Sequence, residues 1–173
     1  MYSPADMKKS LVVALSVVAA SAFAGSNPGD SNWSVRLGPI FPRVNNGVDT
    51  KVGVSFGVSY RAFKGDQFAV EVEALGSAYK ADAGGGDVDI TVSNLNVLVL
   101  AEMPNQPFYL GGLIGATKAT ASSGGFSVSG DTKGVYGPVL GYQFNKQWSV
   151  EARYLFSDIP ASRGTQVLAG YRF

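Results

Sequence analysis

The sequence predicts an all-β fold, a closed antiparallel up-and-down β-barrel of eight strands, and three observations carry the prediction. Apolar and polar residues alternate with a period of two along segments that run from Trp33 to the last residue. The connections between those segments are alternately short and long. Composition favours strands and turns: the 22 glycines are roughly twice the usual share, and the 16% of charged residues compares with about 25% in an average soluble domain.

The N-terminus reads as an address and not as part of the fold. Lys8 and Lys9 precede an apolar run from Leu11 to Ala20, and Ala22-Phe23-Ala24 offers small residues where a signal peptidase cuts. The run is too short for a transmembrane helix, which needs roughly 20 apolar residues. A cleaved signal peptide over residues 1–24 is therefore expected, followed by a short segment over 25–32 and one barrel domain over 33–173. Met7 opens a more conventional leader than Met1 does. The remaining length suits one domain and not two.

The strands follow in order. Trp33, Val35 and Leu37 interleave with Ser34, Arg36 and Gly38, and Val52 to Tyr60 carries apolar residues at every second position against Gly53, Ser55, Gly57, Ser59 and Arg61. Phe68, Val70, Val72 and Ala74 alternate with Ala69, Glu71 and Glu73; Leu95, Val97, Val99 and Ala101 alternate with Asn94, Asn96 and Glu102. Phe108, Leu110, Gly112 and Ile114 form the fifth segment, and Tyr136, Leu140, Tyr142 and Phe144 the sixth. Trp148, Val150, Ala152, Tyr154 and Phe156 form the seventh, and Val167, Ala169, Tyr171 and Phe173 the last. Pro138 cannot donate to a ladder, so a bulge or locally open pairing is expected there.

Tight turns are expected at Ala62 to Gln67, Met103 to Pro107 and Asn145 to Gln147. Longer polar loops are expected at Pro42 to Thr50, Tyr79 to Asp87, Ala119 to Thr132 and Ser157 to Gly164. Short turns on one rim and long loops on the other mark an exported membrane barrel, with the loops outside the cell.

Alternation alone leaves open whether the apolar face looks inward, as in a soluble barrel, or outward into lipid. Three features point outward. The polar face is rich in small residues, such as Gly53, Ser55, Gly57, Ser59, Gly111, Gly115 and Gly141, which suit the narrow interior of an eight-stranded barrel. Trp33, Tyr60, Phe68, Phe108, Phe144 and Trp148 sit near strand ends on the tight-turn side, where a belt of rings would lie at a membrane interface. Tyr171 and Phe173 place aromatic residues at alternate positions at the C-terminus. The fold class expected is thus a closed antiparallel up-and-down transmembrane β-barrel of eight strands.

The polar face also collects Arg36, Arg61, Glu71, Glu73, Glu102, Glu151, Arg153 and Arg172. Facing an arginine to lipid at the bilayer midplane costs about 2–4 kcal/mol, so a one-residue slip of the strand bearing Glu151 and Arg153 is strongly opposed. These eight charges are expected to pair inside the lumen. They either order and plug a closed interior or form a polar track for ions.

With these residues in view, the stretch from about Trp33 to Phe173 resembles the small eight-stranded outer-membrane barrels of the OmpA/OmpX type. The leader, the strand FYLGGLI at Phe108–Ile114 and the ending Val167-Leu168-Ala169-Gly170-Tyr171-Arg172-Phe173 carry the resemblance. It implies that Tyr171 and Phe173 contact the machinery that inserts barrels, although Gly170 sits closer to the end than is usual in that signal. It also implies location in the bacterial outer membrane, with lipid as a partner.

Little chemistry is available. Histidine and cysteine are absent, so the serines have no histidine base and there are no thiolate metal sites or disulfides. The loop Asp82-Ala83-Gly84-Gly85-Gly86-Asp87-Val88-Asp89 has carboxylates that calcium could use, but it reads better as a solvated hairpin. Gly111-Gly112 lacks the lysine and hydroxyl of a phosphate loop. No enzyme activity, metal or cofactor is expected. The net charge of +1 gives no reason to expect nucleic acid. The expected role is structural or surface-interacting, through loops that meet an extracellular ligand at residues such as Phe126, Ile159 and Arg163; the alternative is a narrow pore or small-solute transporter. A monomer is the expected state, although outward aromatic rings also suit a neighbouring barrel.

Overall fold

The computed structural model describes residues 31–44, 48–82, 86–103 and 105–173, so the expected leader lies outside the described residues. Its strands are β1 (Trp33–Pro42), β2 (Asp49–Thr50), β3 (Gly53–Lys64), β4 (Phe68–Asp82), β5 (Asp87–Glu102), β6 (Phe108–Ser123), β7 (Phe126–Ser129), β8 (Lys133–Gln143), β9 (Trp148–Ser157) and β10 (Gly164–Arg172). A 3-10 turn at Pro160–Ser162 lies between β9 and β10. Eight strands close a ring, each antiparallel to its neighbours in the order β1, β3, β4, β5, β6, β8, β9, β10, with β10 returning to β1. Closure leaves the ring without a free edge.

The period-two pattern sorts side chains between the two surfaces of this ring. Leu95 and Ile114 are 61% and 67% exposed on the outer wall, whereas Glu73 and Arg153 on the inner wall are 0% and 2% exposed. Val150, Ala152, Tyr154 and Phe156 face out while Glu151 and Arg153 are buried. A continuous outer surface of exposed aliphatic side chains is what lipid covers and water does not.

Two expected loops are ladder in the structure. The stretch Tyr79 to Asp87, expected as a loop, is ladder almost to its tip, since β4 and β5 stay in one register as far as Asp82 opposite Asp87. Ala119 to Thr132 is likewise a hairpin: β6 runs on to Ser123, turns at Gly124 and Gly125, and returns as β7, which pairs only β6. Both glycines have positive φ, 57° and 88°, as a tight two-residue hairpin turn requires. Small polar residues have the composition of a loop, yet they can pair where water bathes both faces.

At Pro138 the locally open pairing expected as the alternative to a bulge is present, towards β9. The residue stays in register opposite Gly112 of β6, and towards β9 the pairs Tyr136–Phe156 and Val139–Arg153 share one register with no bridge between them. Gly38-Pro39 does the same in β1 against β10, between Leu37–Ala169 and Ile40–Gln166. Proline lacks the donor, and its preceding glycine admits a close backbone: a Cβ at Gly137 would lie 1.8 Å from the Tyr154 carbonyl oxygen, and one at Gly38 1.9 Å from that of Val167. The β9–β10 hairpin is thus flanked on both sides by a Gly-Pro step.

The interior, finally, is not uniformly small and polar. Leu98, Leu100, Tyr109, Leu113, Val135, Val139 and Leu155 form a buried apolar cluster on the walls of β5, β6, β8 and β9. The charged wall therefore faces a greasy one, and together they fill the cylinder.

Candidate functional site

All eight charged residues expected on the inner face meet in one network. Arg36 on β1 reaches three carboxylates, pairing with Glu71, with Glu73 at 3.1 Å and with Glu151 at 3.0 Å. Arg153 on β9 holds Glu73 with both terminal nitrogens, at 2.7 and 2.9 Å, and also pairs with Glu151. Arg61 bridges Glu71 at 2.9 Å and Glu102 at 2.8 Å, and Arg172 reaches Glu71 at 3.1 Å. Forked guanidinium-to-carboxylate contacts of this kind fix geometry as well as charge. Only Glu102 and Arg172, on the tight-turn side, retain appreciable exposure.

Neutral residues complete the plug. The Tyr109 hydroxyl donates to Glu151 at 2.6 Å, and Asn96 Nδ2 donates to Glu73 at 3.0 Å. Further up the barrel, Gln166 Nε2 donates to Ser55 and Ser77, both at 3.2 Å. The cavity beside the network on the tight-turn side measures about 20 Å³, room for about one water.

A second closure lies at the opposite mouth. The 3-10 turn folds inward, so that the Tyr79 hydroxyl donates to the Ala161 carbonyl at 2.7 Å and Thr117 Oγ1 donates to Ser162 Oγ at 2.8 Å. Tyr79, Ala81 and Val92 pack against Val48, Ile90, Ala119 and Ala161 beneath it. Sequence reasoning missed this lid, because Ser157 to Gly164 reads as a solvated loop and Pro160 only marks a turn. It also missed Tyr109 and Gln166, whose polar ends carry no pattern of their own.

The aromatic residues expected as a belt lie in or beside strand ends on the tight-turn side, in pairs. Trp33 packs on Tyr60 with centroids 5.0 Å apart, Phe68 on Phe63 at 5.2 Å, and Phe108 on Tyr142 at 4.9 Å. Phe144 packs on Tyr142 at 5.0 Å and Trp148 on Tyr171 at 4.9 Å. Phe173 is buried, with its ring 5.4 Å from that of Tyr171; its carbonyl accepts from the Ser31 N–H at 2.7 Å, and its N–H donates to the Trp33 carbonyl at 3.2 Å. The chain end is thereby tied to the start of β1.

On the outer rim, Phe126 is 82% exposed at the tip of the β6–β7 hairpin, while Ile159 and Arg163 are half-buried. Of the carboxylates considered for calcium, Asp87 accepts from Lys51 Nζ at 2.9 Å and lies 3.6 Å from Lys80. The Lys51 hydrogen bond holds the Asp87 carboxyl below its usual range.

The chain matches the family model described as outer membrane protein beta-barrel domain over residues 10–173. Comparison with curated proteins finds no match. Among solved structures, it is similar to the outer membrane protein Ail of Yersinia pestis in a phospholipid bilayer nanodisc, with TM-score 0.56 and 24% identity, covering 83% of this chain and 100% of that one. Ail in complex with the heparin analogue sucrose octasulfate gives 0.54 and 22%, covering 82% and 97%. Neisserial surface protein A gives 0.55 and 17%, covering 83% and 98%. At these identities the likeness is one of fold.

Proposed function

The chain belongs to the outer membrane protein beta-barrel domain family of the bacterial outer membrane, and from that premise we propose that it acts as a surface-interaction protein, a closed barrel holding its tall hairpins outside the cell. One observation carries this reading. The lumen is filled by paired charges and leucines under an inward-folded lid, while the β6–β7 tip offers Phe126 and Val128, 82% and 71% exposed, to solvent. Rigid scaffolds that carry exposed loop residues are the usual basis of recognition.

The nature of the ligand follows from charge. Ail was solved with an anionic heparin analogue, but the outer part of this chain sets Arg43, Lys51, Lys80, Lys118, Lys133 and Arg163 against Asp49, Asp82, Asp87, Asp89, Asp131 and Asp158. With the signs balanced, the apolar tip is the better anchor, and a protein surface with an apolar patch is the partner that fits it.

The remaining roles fit the same reading. Residues 1–24 serve as the cleaved leader. Trp33, Tyr60, Phe68, Phe108, Phe144 and Trp148 seat the barrel at the periplasmic-side interface, and Tyr171 with Phe173 forms the strand end read by the insertion machinery. The barrel is a monomer without catalytic activity.

A second reading, a narrow pore, has one observation in its favour: both amide atoms of Asn94, with Asn96 Oδ1 and Gln166 Oε1, are buried without a protein partner, as along a hydrated path. Two measurements decide. Pure protein in planar bilayers is expected to give no ohmic steps, and such steps would overturn the closed barrel. Bacteria displaying the chain are expected to adhere to cultured cells, and the double variant F126S/V128S to lose most of that adherence. Equal adherence of the variant would remove the hairpin tip from the function.

A further inference from the structure

The outer wall of the barrel is not uniformly apolar up to the rim. Above β8, β9, β10 and β1 lies a groove of about 320 Å³ lined by Arg43, Tyr136, Tyr154, Phe156, Asp158 and Arg163. Its floor is aromatic: Tyr136 and Phe156 stack with centroids 5.4 Å apart, and Tyr154 meets Phe156 edge-on at 4.7 Å. Its roof is cationic. The Arg43 backbone N–H donates to the Arg163 carbonyl at 3.0 Å, which sets the two backbones side by side, and both residues line the groove. Arg163 spends only its Nε, on the Ser157 carbonyl. Neither arginine makes an ion pair among the described residues, although Asp158 lines the same groove.

The position of this groove relative to the bilayer identifies its occupant. From Trp148 at the tight-turn rim to Phe156 is about 26 Å along β9 at roughly 3.3 Å per residue. At a strand tilt near 40° this is about 20 Å along the membrane normal, close to the height of the apolar band. The aromatic floor therefore lies where acyl chains end, and the arginines lie one step higher, among headgroups. The rim is also low on this side: β8, β9 and β10 have 11, 10 and 9 residues, against 15 and 16 for β4 and β5. A lipid of the outer leaflet can reach the groove without passing a tall loop.

We propose that this groove is a binding site for a phosphate-bearing lipid of the outer leaflet, its phosphate forked by Arg43 and Arg163 and the start of its acyl chains resting on Tyr136, Tyr154 and Phe156. Paired guanidinium groups match phosphate geometry better than point charges do. Their net charge remains positive with Asp158 counted, so an anion is preferred over a zwitterion. The site is separate from the hairpin tip and does not depend on what that tip binds.

The test uses full-length folded protein in phosphatidylcholine bilayers doped with diphosphorylated lipid A, followed by native mass spectrometry of the detergent-released barrel. One lipid A is expected to stay bound to the wild type. R43Q/R163Q is expected to bind about tenfold more weakly or worse, as loss of charge-assisted contacts implies, and F156A to bind more weakly as well. K118Q/K133Q, which alters exposed lysines elsewhere, is expected to bind normally. Heat-modifiable gel mobility checks that each variant is folded. Equal retention by R43Q/R163Q, equal retention of lipid A stripped of its phosphates, or full displacement by inorganic phosphate alone would each overturn the proposal.

Discussion

Glu73 illustrates what the inner wall asks of a single side chain. Its carboxylate is fully buried, grips Arg153 with two hydrogen bonds, and also takes bonds from Arg36 and Asn96. Burying a lone charge is far more costly than burying a satisfied pair, so removing one partner should hurt more than removing both. Glu73→Ala is expected to lower unfolding free energy in lipid vesicles by about 3–5 kcal/mol, read from urea titration. The double variant E73L/R153M should lose less than the sum of its two singles, because no orphaned guanidinium remains at that position. If the singles add, the pair is not coupled, and the charges line a hydrated lumen instead of sealing it.

At the scale of elements, legibility depended on contrast between the two faces of a strand. β4 was readable because Glu71 and Glu73 alternate with valines, and the same holds for Glu151 and Arg153 on β9. β5 was only half readable: in Leu95-Asn96-Val97-Leu98-Val99-Leu100-Ala101 both faces become apolar, so the pattern places Val97 and Val99 outward but says nothing of Leu98 and Leu100, which are buried. The loops failed for a different reason. Ala119 to Gly125 carries only small side chains, so its pairing comes from neighbouring backbone and not from any side-chain period, and the alternation in Phe126-Ser127-Val128-Ser129 is too short to mark a strand. The lid over the mouth was illegible because its contacts, Tyr79 to Ala161 and Thr117 to Ser162, join residues far apart in sequence.

The Gly-Pro steps are legible as interruptions, and they yield a prediction. At Gly137 and Gly38 any Cβ would meet a neighbouring carbonyl oxygen at less than 2 Å, so Gly137→Ala and Gly38→Ala should prevent the strand from docking and abolish the heat-modifiable band. Gly112, also on a barrel strand, has only ordinary contact, with the Gly137 carbonyl at 3.7 Å. Gly112→Ala should keep that band and change stability by less than about 1 kcal/mol. Similar behaviour of all three variants would mean that the close approach in β1 and β8 relaxes without cost.

The whole molecule divides into a ring that specifies the fold and an outgrowth that does not. Every strand of the ring is hydrogen-bonded on both sides, and outside β6 and β8 the register is locked by charges that would otherwise face lipid. β7, by contrast, pairs only with the upper part of β6, and all four of its residues are exposed. It buries nothing that the unfolded chain exposes, so it adds little to stability. Deleting residues 121–130 and joining Thr120 to Asp131 should therefore leave urea unfolding within about 1 kcal/mol of the full chain, with gel mobility still heat-modifiable, while removing Phe126 and Val128 from the surface. Replacing Ala161 and Ser162 by a glycine pair at constant length is the opposing case, since it loosens the lid over Tyr79 and Thr117. That variant should unfold at lower urea. Were the hairpin deletion the more damaging of the two, the division between a self-sufficient ring and a dispensable recognition arm would be wrong.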